Sequence, residues 1–104
     1  MATERTGLTI VVEFTIHEGK EDEFLEVVRA HLPRNAQDPG LEAFSVHRDL
    51  EHPNRFLFFE EWASRAAFDA SLLAPWRDTY FPAITPLGER SMRTLEPTDL
   101  RFPA

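Results

Sequence analysis

The 104-residue chain predicts an α+β fold, a four-stranded antiparallel sheet with both helices on one face, on three observations. Residues 8–16 alternate apolar and polar side chains with the two-residue period of a strand. Residues 21–32 carry apolar side chains at helical spacing. Residues 55–62 are apolar on both faces: Phe56, Phe58, Glu60 and Trp62 point one way, and Leu57, Phe59 and Glu61 the other. Both sides of that segment therefore need cover.

The elements follow in order. After a polar lead-in, Leu8, Ile10, Val12, Phe14 and Ile16 form the apolar face of a first strand. His17 to Lys20 make a turn, and Glu21, Asp22 and Glu23 place negative charge in the first turn of a helix, where the backbone dipole favours it. Phe24, Val27, Val28 and His31, with Leu25 and Leu32, are its buried stripe. Pro33 lacks a backbone donor, so the helix is expected to end or kink near Leu32, with residues 34–40 as connection. Leu41 to Leu50 read as a second strand, and Glu51, His52, Pro53 and Asn54 as a tight turn into Arg55 to Trp62. Ser64 suits the N-cap of a second helix carrying Ala67, Phe68, Leu72 and Leu73. Pro75 suits the first position of a further turn, where Trp76, Tyr80 and Phe81 continue the apolar face until Pro82 interrupts it. Leu87 to Glu96 read as a last strand, and residues 97–104 as an arm without regular structure.

The order strand, helix, strand, strand, helix, strand is the ferredoxin-like βαββαβ arrangement, in one domain over residues 1–104 with its core at about 8–96. Its helices cover one sheet face. Burying Leu57 and Phe59 on the other is worth about 1.5–3 kcal/mol per large side chain, so a homodimer closed face to face is expected. The alternative is that the C-terminal arm folds over that face.

Composition narrows the function classes. Hydrophobic residues are 42% and charged residues 28%, an ordinary globular balance. A net charge of −7 without a Lys/Arg cluster repels phosphate backbones and anionic membranes, so neither nucleic acid nor membrane is expected as a partner. No run approaches the roughly 18 apolar residues of a membrane span, and the N-terminus lacks the apolar core of a signal peptide, so a cytoplasmic location is expected. With no cysteine there is no disulfide and no thiolate site. The four histidines lack metal spacing, so no metal is expected.

Several motifs resemble one family. They are the first strand running into Gly19, Lys20, Glu21, Asp22, Glu23 and Phe24; Pro39 and Gly40 before the second strand; His47, Arg48 and Asp49 running into Pro53; and Phe59, Glu60, Glu61, Trp62, Ala63 and Ser64 leading to Phe68. In order and spacing, over about residues 8–95, the chain resembles the antibiotic biosynthesis monooxygenase domains, which are dimeric α+β barrels. The resemblance implies a homodimer with a pocket in each subunit between sheet and helices, and an enzyme of the quinol or anthrone oxygenase type that uses no cofactor.

The departures are specific. Ser71 stands where many members have a histidine in the second helix, and Trp76 where many have another after the proline. Members acting on polyketides hold substrate with an Asn four residues before the Trp and a Tyr six after it. Here those places hold Phe58 and Phe68, so Trp62 alone matches. Haem-degrading members place their iron ligand near Phe81, which cannot coordinate iron.

Cofactor-free oxygenation requires a substrate that ionises, a base, and an apolar cavity. Phe58, Trp62, Phe68, Leu72, Trp76 and Tyr80 could line one for a small aromatic molecule, the plain alternative being core packing. Glu60 shares a face with Trp62 and is a candidate base, since desolvation raises a carboxyl pKa; the alternative is an ion pair with an arginine. Hairpin parity decides which strand-two residue faces it, Arg48 in one register, His47 with Ser45 in the other. His47 is thus a second candidate for proton transfer, or a residue of the dimer seam. Arg77 is a candidate anchor for a phenolic oxygen, or an exposed helix arginine. His17 and His52 read as turn residues, and His31 as a hydrogen-bonded core histidine. The enzyme reading stands against a dimer that binds an apolar ligand or a partner protein without catalysis, which the residues at 58, 71 and 76 favour.

Overall fold

In the computed structural model, which describes residues 7–103, the strands are β1 (Leu8–Ile16), β2 (Leu41–Arg48), β3 (Arg55–Trp62) and β4 (Gly88–Leu95). The helices are α1 (Glu21–Asn35), α2 (Arg65–Ser71) and α3 (Arg77–Ile84), with a 3₁₀ turn at Thr85–Leu87. The polar lead-in before Gly7 lies outside the described residues. The sheet is antiparallel throughout in the order β2-β3-β1-β4, the ferredoxin-like topology. No helix among the described residues is long and apolar enough to cross a membrane.

The alternation in β1 is realised residue by residue: Leu8, Ile10, Val12, Phe14 and Ile16 are buried and the residues between them are not. Opposite them β3 buries Phe56, Phe58, Glu60 and Trp62. Phe24 of α1 seats its ring 5.1 Å from Phe14 and 4.8 Å from Phe56, and Phe14 lies 4.9 Å from Phe58. These tilted ring contacts add to area burial and form the centre of the core.

The helices depart from expectation at both prolines. α1 runs through Pro33 to Asn35, and α3 runs through Pro82 to Ile84. In each case the carbonyl left without a partner, on Arg29 or Asp78, belongs to an exposed residue where water can satisfy it, so the loss is small. Beyond Pro33 the chain keeps turning, with bonds from Ala36 N to Leu32 O (2.9 Å) and Asp38 N to Asn35 O (3.0 Å). Asn35 and Asp38 are thereby carried under the fold and buried.

β2 stops at Arg48 instead of Leu50. The Asp49 carboxylate accepts the backbone N–H groups of Glu51 (2.8 Å) and His52 (3.1 Å), which hold its pKa below the usual carboxylate value and curl the chain before Arg55. α2 is capped as expected, Ser64 Oγ accepting from Ala67 N at 3.0 Å. It ends at Ser71, however, and tight turns with i to i+3 bonds then lead to Pro75, leaving Leu72 41% and Leu73 85% exposed instead of in the buried stripe.

Gly40 sits at the entrance to β2 with φ +86°, and its carbonyl accepts Ala63 N at 2.7 Å. A Cβ there would lie 2.6 Å from the Ala67 Cβ. Gly40→Ala therefore combines backbone strain with a clash, and we expect a loss of about 1–3 kcal/mol in denaturant unfolding.

Candidate functional site

Between the sheet and helices α1 and α3 lies a cavity lined by Val28, His31, Leu32 and Asn35 from α1, Phe44 from β2, Phe58 and Glu60 from β3, and Trp76, Arg77 and Tyr80 at the start of α3. Its volume, about 30 Å³, holds little more than water, so a ring-sized ligand enters only if the wall moves. Leu32, 38% exposed, forms part of that wall.

Glu60 is a buried carboxylate in an apolar strand, and Trp62 holds it. The indole Nε1 donates to Glu60 Oε1 at 2.9 Å from two residues along the same face. Trp62 itself is fully buried with its ring against Phe68 at 5.6 Å, so both sit behind Glu60 and outside the cavity lining. Burial pushes the Glu60 carboxyl above the usual carboxylate range, against the indole hydrogen bond and the charges of Arg77 and Arg90.

Arg77 is clamped above the cavity. Its Nε donates to Ser71 O at 3.1 Å and its Nη2 to Ser71 Oγ at 3.3 Å, while that hydroxyl donates to Phe68 O at 2.6 Å. The guanidinium lies 4.5 Å from the Trp76 ring centre, and burial lowers its pKa. Trp76 Nε1 donates to Asp38 Oδ1 at 3.3 Å. Tyr80 is buried, its phenol pushed up to about 12 by desolvation, so it is a neutral donor near pH 7. Ser71 and Trp76, two of the departures from the resemblance, thus fix the guanidinium.

Hairpin parity takes the first of the two registers. Phe44, Val46 and Arg48 share the helix side of the sheet, but Phe44 stands across from Glu60, and Arg48 stands across from Phe56 with its guanidinium 4.7 Å over that ring. The Arg48–Glu60 ion pair is therefore not formed. A bulge between Leu41 and Ala43 sets this register by exchanging the faces along β2. His47 lies on the opposite sheet face from Glu60, its ring 5.1 Å from Phe59 and its Nε2 2.9 Å from Ser45 Oγ. Of the residues singled out from sequence, Phe58, Glu60, Trp76, Arg77 and Tyr80 meet at the cavity; Trp62 and Phe68 back it, and Leu72 and His47 lie elsewhere.

Residues 7–75 match the family described as antibiotic biosynthesis monooxygenase. The chain belongs to that family. Among its relatives, an isomerase of (4S)-4-hydroxy-5-phosphonooxypentane-2,3-dione from Yersinia enterocolitica is 34% identical over 62% of this chain and 68% of its own length. An uncharacterized protein of Synechocystis is 33% identical over 55% of this chain, a match spanning only 39% of that protein. Among solved structures, SnoaB, a cofactor-independent oxygenase from Streptomyces nogalater, superposes with a TM-score of 0.86 at 22% identity, over 95% of this chain and 99% of SnoaB. A conserved protein from Methanosarcina mazei gives a TM-score of 0.85 at 17% identity, over 90% and 95% of the two chains. At these identities the structures establish the fold.

Within this family member, the cavity residues not singled out from sequence as site residues are Phe44 and, on α1, Val28, His31, Leu32 and Asn35. His31 is hydrogen-bonded as expected, its Nδ1 to Val27 O at 2.8 Å, but it also borders the cavity and meets Tyr80 edge-on at 5.3 Å. The signal was the spacing Val28, His31, Leu32, Asn35, a helical face on which two polar residues interrupt an apolar stripe.

Glu60 carries a prediction about stability. The folded protein holds the Glu60 proton more tightly than the unfolded chain does. Stability drawn from this group is therefore present at low pH and falls as pH rises from the ordinary carboxylate value through the raised one. Glu60→Gln keeps an oxygen for Trp62 and does not titrate. We expect its melting temperature, relative to the native chain, to rise between pH 4 and pH 8 in calorimetric scans.

Proposed function

We propose that this family member is a cytoplasmic, homodimeric, cofactor-independent monooxygenase that oxidises a small aromatic quinol or anthrone with dioxygen. The observation that carries the reading is the buried Glu60 carboxyl, raised in pKa and held by Trp62 at the edge of a cavity with aromatic walls. Such a group suits the removal of a proton from a weak carbon or phenolic acid. Arg77 and the Tyr80 hydroxyl, on the opposite wall, supply positive charge and a donor for the oxygen on which negative charge develops. The aromatic walls of Phe44, Phe58, Trp76 and Tyr80 suit a flat ring. In the case of an anthrone, the ionised ring carbon takes up dioxygen, one oxygen atom stays as the new carbonyl, and the other leaves as water with the two methylene hydrogens.

In this reading His47 belongs to the subunit seam with Phe59. The outer sheet face supports a homodimer: Phe59 is 42% and Leu95 43% exposed, with Leu57 and Val11 beside them. We expect sedimentation at micromolar concentration to give the mass of two subunits, and Phe59→Asp to give that of one. A single-subunit mass for the native chain would remove the dimer from the proposal.

The likeness to a phosphonooxypentanedione isomerase favours a second reading, in which the same base moves a proton within a hydroxy-diketone and oxygen takes no part. An oxygen electrode distinguishes the two, run over a panel of quinols and anthrones and accompanied by deuterium exchange at the acidic carbon of the same compounds and of small hydroxy-diketones. Uptake lost about 10²- to 10⁴-fold in Glu60→Gln supports the monooxygenase. Its kcat/KM should rise with pH to a plateau, with a midpoint above the ordinary carboxylate value, because the ionised form is the base. Exchange without uptake supports the isomerase, and neither activity supports a binding protein.

A further inference from the structure

We infer that Asn35 is a specificity-determining residue that receives a hydroxyl of the ligand, so that the substrate carries a second hydroxyl besides the group ionised at Glu60. The inference rests on the reading of the cavity as the substrate site. Asn35 borders that cavity from the last turn of α1 and is 8% exposed, and its Oδ1 is buried without a hydrogen-bond partner. Folded proteins pair nearly all such atoms, because an unpaired one forfeits its hydration with no return. A ligand group that pairs Oδ1 recovers that loss on binding.

The surrounding chemistry says which group. His31, one turn earlier on the same helix face, uses Nδ1 as a donor to Val27 O, so in the neutral ring Nε2 is left as an acceptor. The α1 wall therefore offers two acceptors beside the Asn35 amide N–H group, and Glu60 on β3 adds a carboxylate, whereas the donors Arg77 and Tyr80 lie together at α3. A ligand with a single ionisable group satisfies Glu60 or the α1 wall, not both. One with two hydroxyls satisfies both. A hydroxyl also serves where a ketone does not, because it donates as well as accepts and so pairs with the amide in either orientation. The last turn of α1 exists only because the helix continues past Pro33, which places Asn35 on the cavity instead of in a connecting loop.

Anaerobic calorimetric titration with hydroquinone and with phenol tests this without turnover. The native chain should bind hydroquinone roughly five- to hundredfold more tightly than phenol, the discrimination of a site left with an unpaired polar atom. Asn35→Leu should bring the ratio near one, and Asn35→Asp, which keeps an acceptor, should retain a preference. Equal affinity of the native chain for both probes overturns the inference while leaving the cavity as the ligand site. If neither probe binds, both the inference and the reading of the cavity fall. If the leucine variant does not fold, the native ratio and the aspartate variant decide.

Discussion

The hydrogen bond from Trp62 to Glu60 is the constraint on which the site depends. A carboxyl group in the middle of an apolar strand is unfavourable unless its charge is suppressed or its oxygens are paired. Here both occur. The indole donor comes from the next residue on the same strand face, so the pairing requires no element to move, and it fixes one oxygen at 2.9 Å while the rest of the group abuts the cavity. Trp62 is itself immobilised by the core and by Phe68. The position of Glu60 is therefore set by the same packing that holds the sheet to α2.

Much of this was legible in the sequence because the period of side chains is itself the structure of a strand. The alternation in β1 and the two-faced composition of β3 correctly assigned Phe56, Phe58, Glu60 and Trp62 to one side and Phe59 to the other. What was not legible depended on events between segments. The bulge near Glu42 reverses the faces of β2 within two residues, so no reading of strand period could decide whether His47 or Arg48 shared the sheet face of Glu60. Both proline-containing helices continue because the lost hydrogen bonds lie on exposed turns, which is a property of the packed fold. Once α1 is longer than its composition suggests, Asn35 changes from a loop residue into a wall of the site. Leu72 moves the other way, since α2 ends before reaching it and its side chain turns to solvent.

Ser71 and Trp76 together hold the Arg77 side of the cavity. The hydroxyl and carbonyl of Ser71 together accept two donors of Arg77, and the neighbouring Trp76 ring supports the guanidinium face. The result is a cation whose direction is fixed. Arg77 is half-buried, which lowers its pKa, while nearby Asp38 and Glu60 act in the opposite direction. The three charged groups thus form one unit. Burial, the larger effect, raises the pKa of Glu60, while Trp62 and Arg77 act in the opposite direction.

The small volume of the cavity and the basicity of Glu60 are consequently two expressions of one property. With about 30 Å³ of space, little water reaches the carboxyl, and its pKa stays high. If the wall opened to bulk solvent, hydration would stabilise the carboxylate and weaken it as a base. An aromatic ligand that displaced Leu32 and filled the opening would keep water out and preserve the raised pKa at the moment the proton is taken. A hydrated, flexible ligand of the same size would fill the space without that effect. Under the proposed monooxygenase reading, Glu60 is therefore strongest as a base when the occupant is apolar across its face and polar only at its edges.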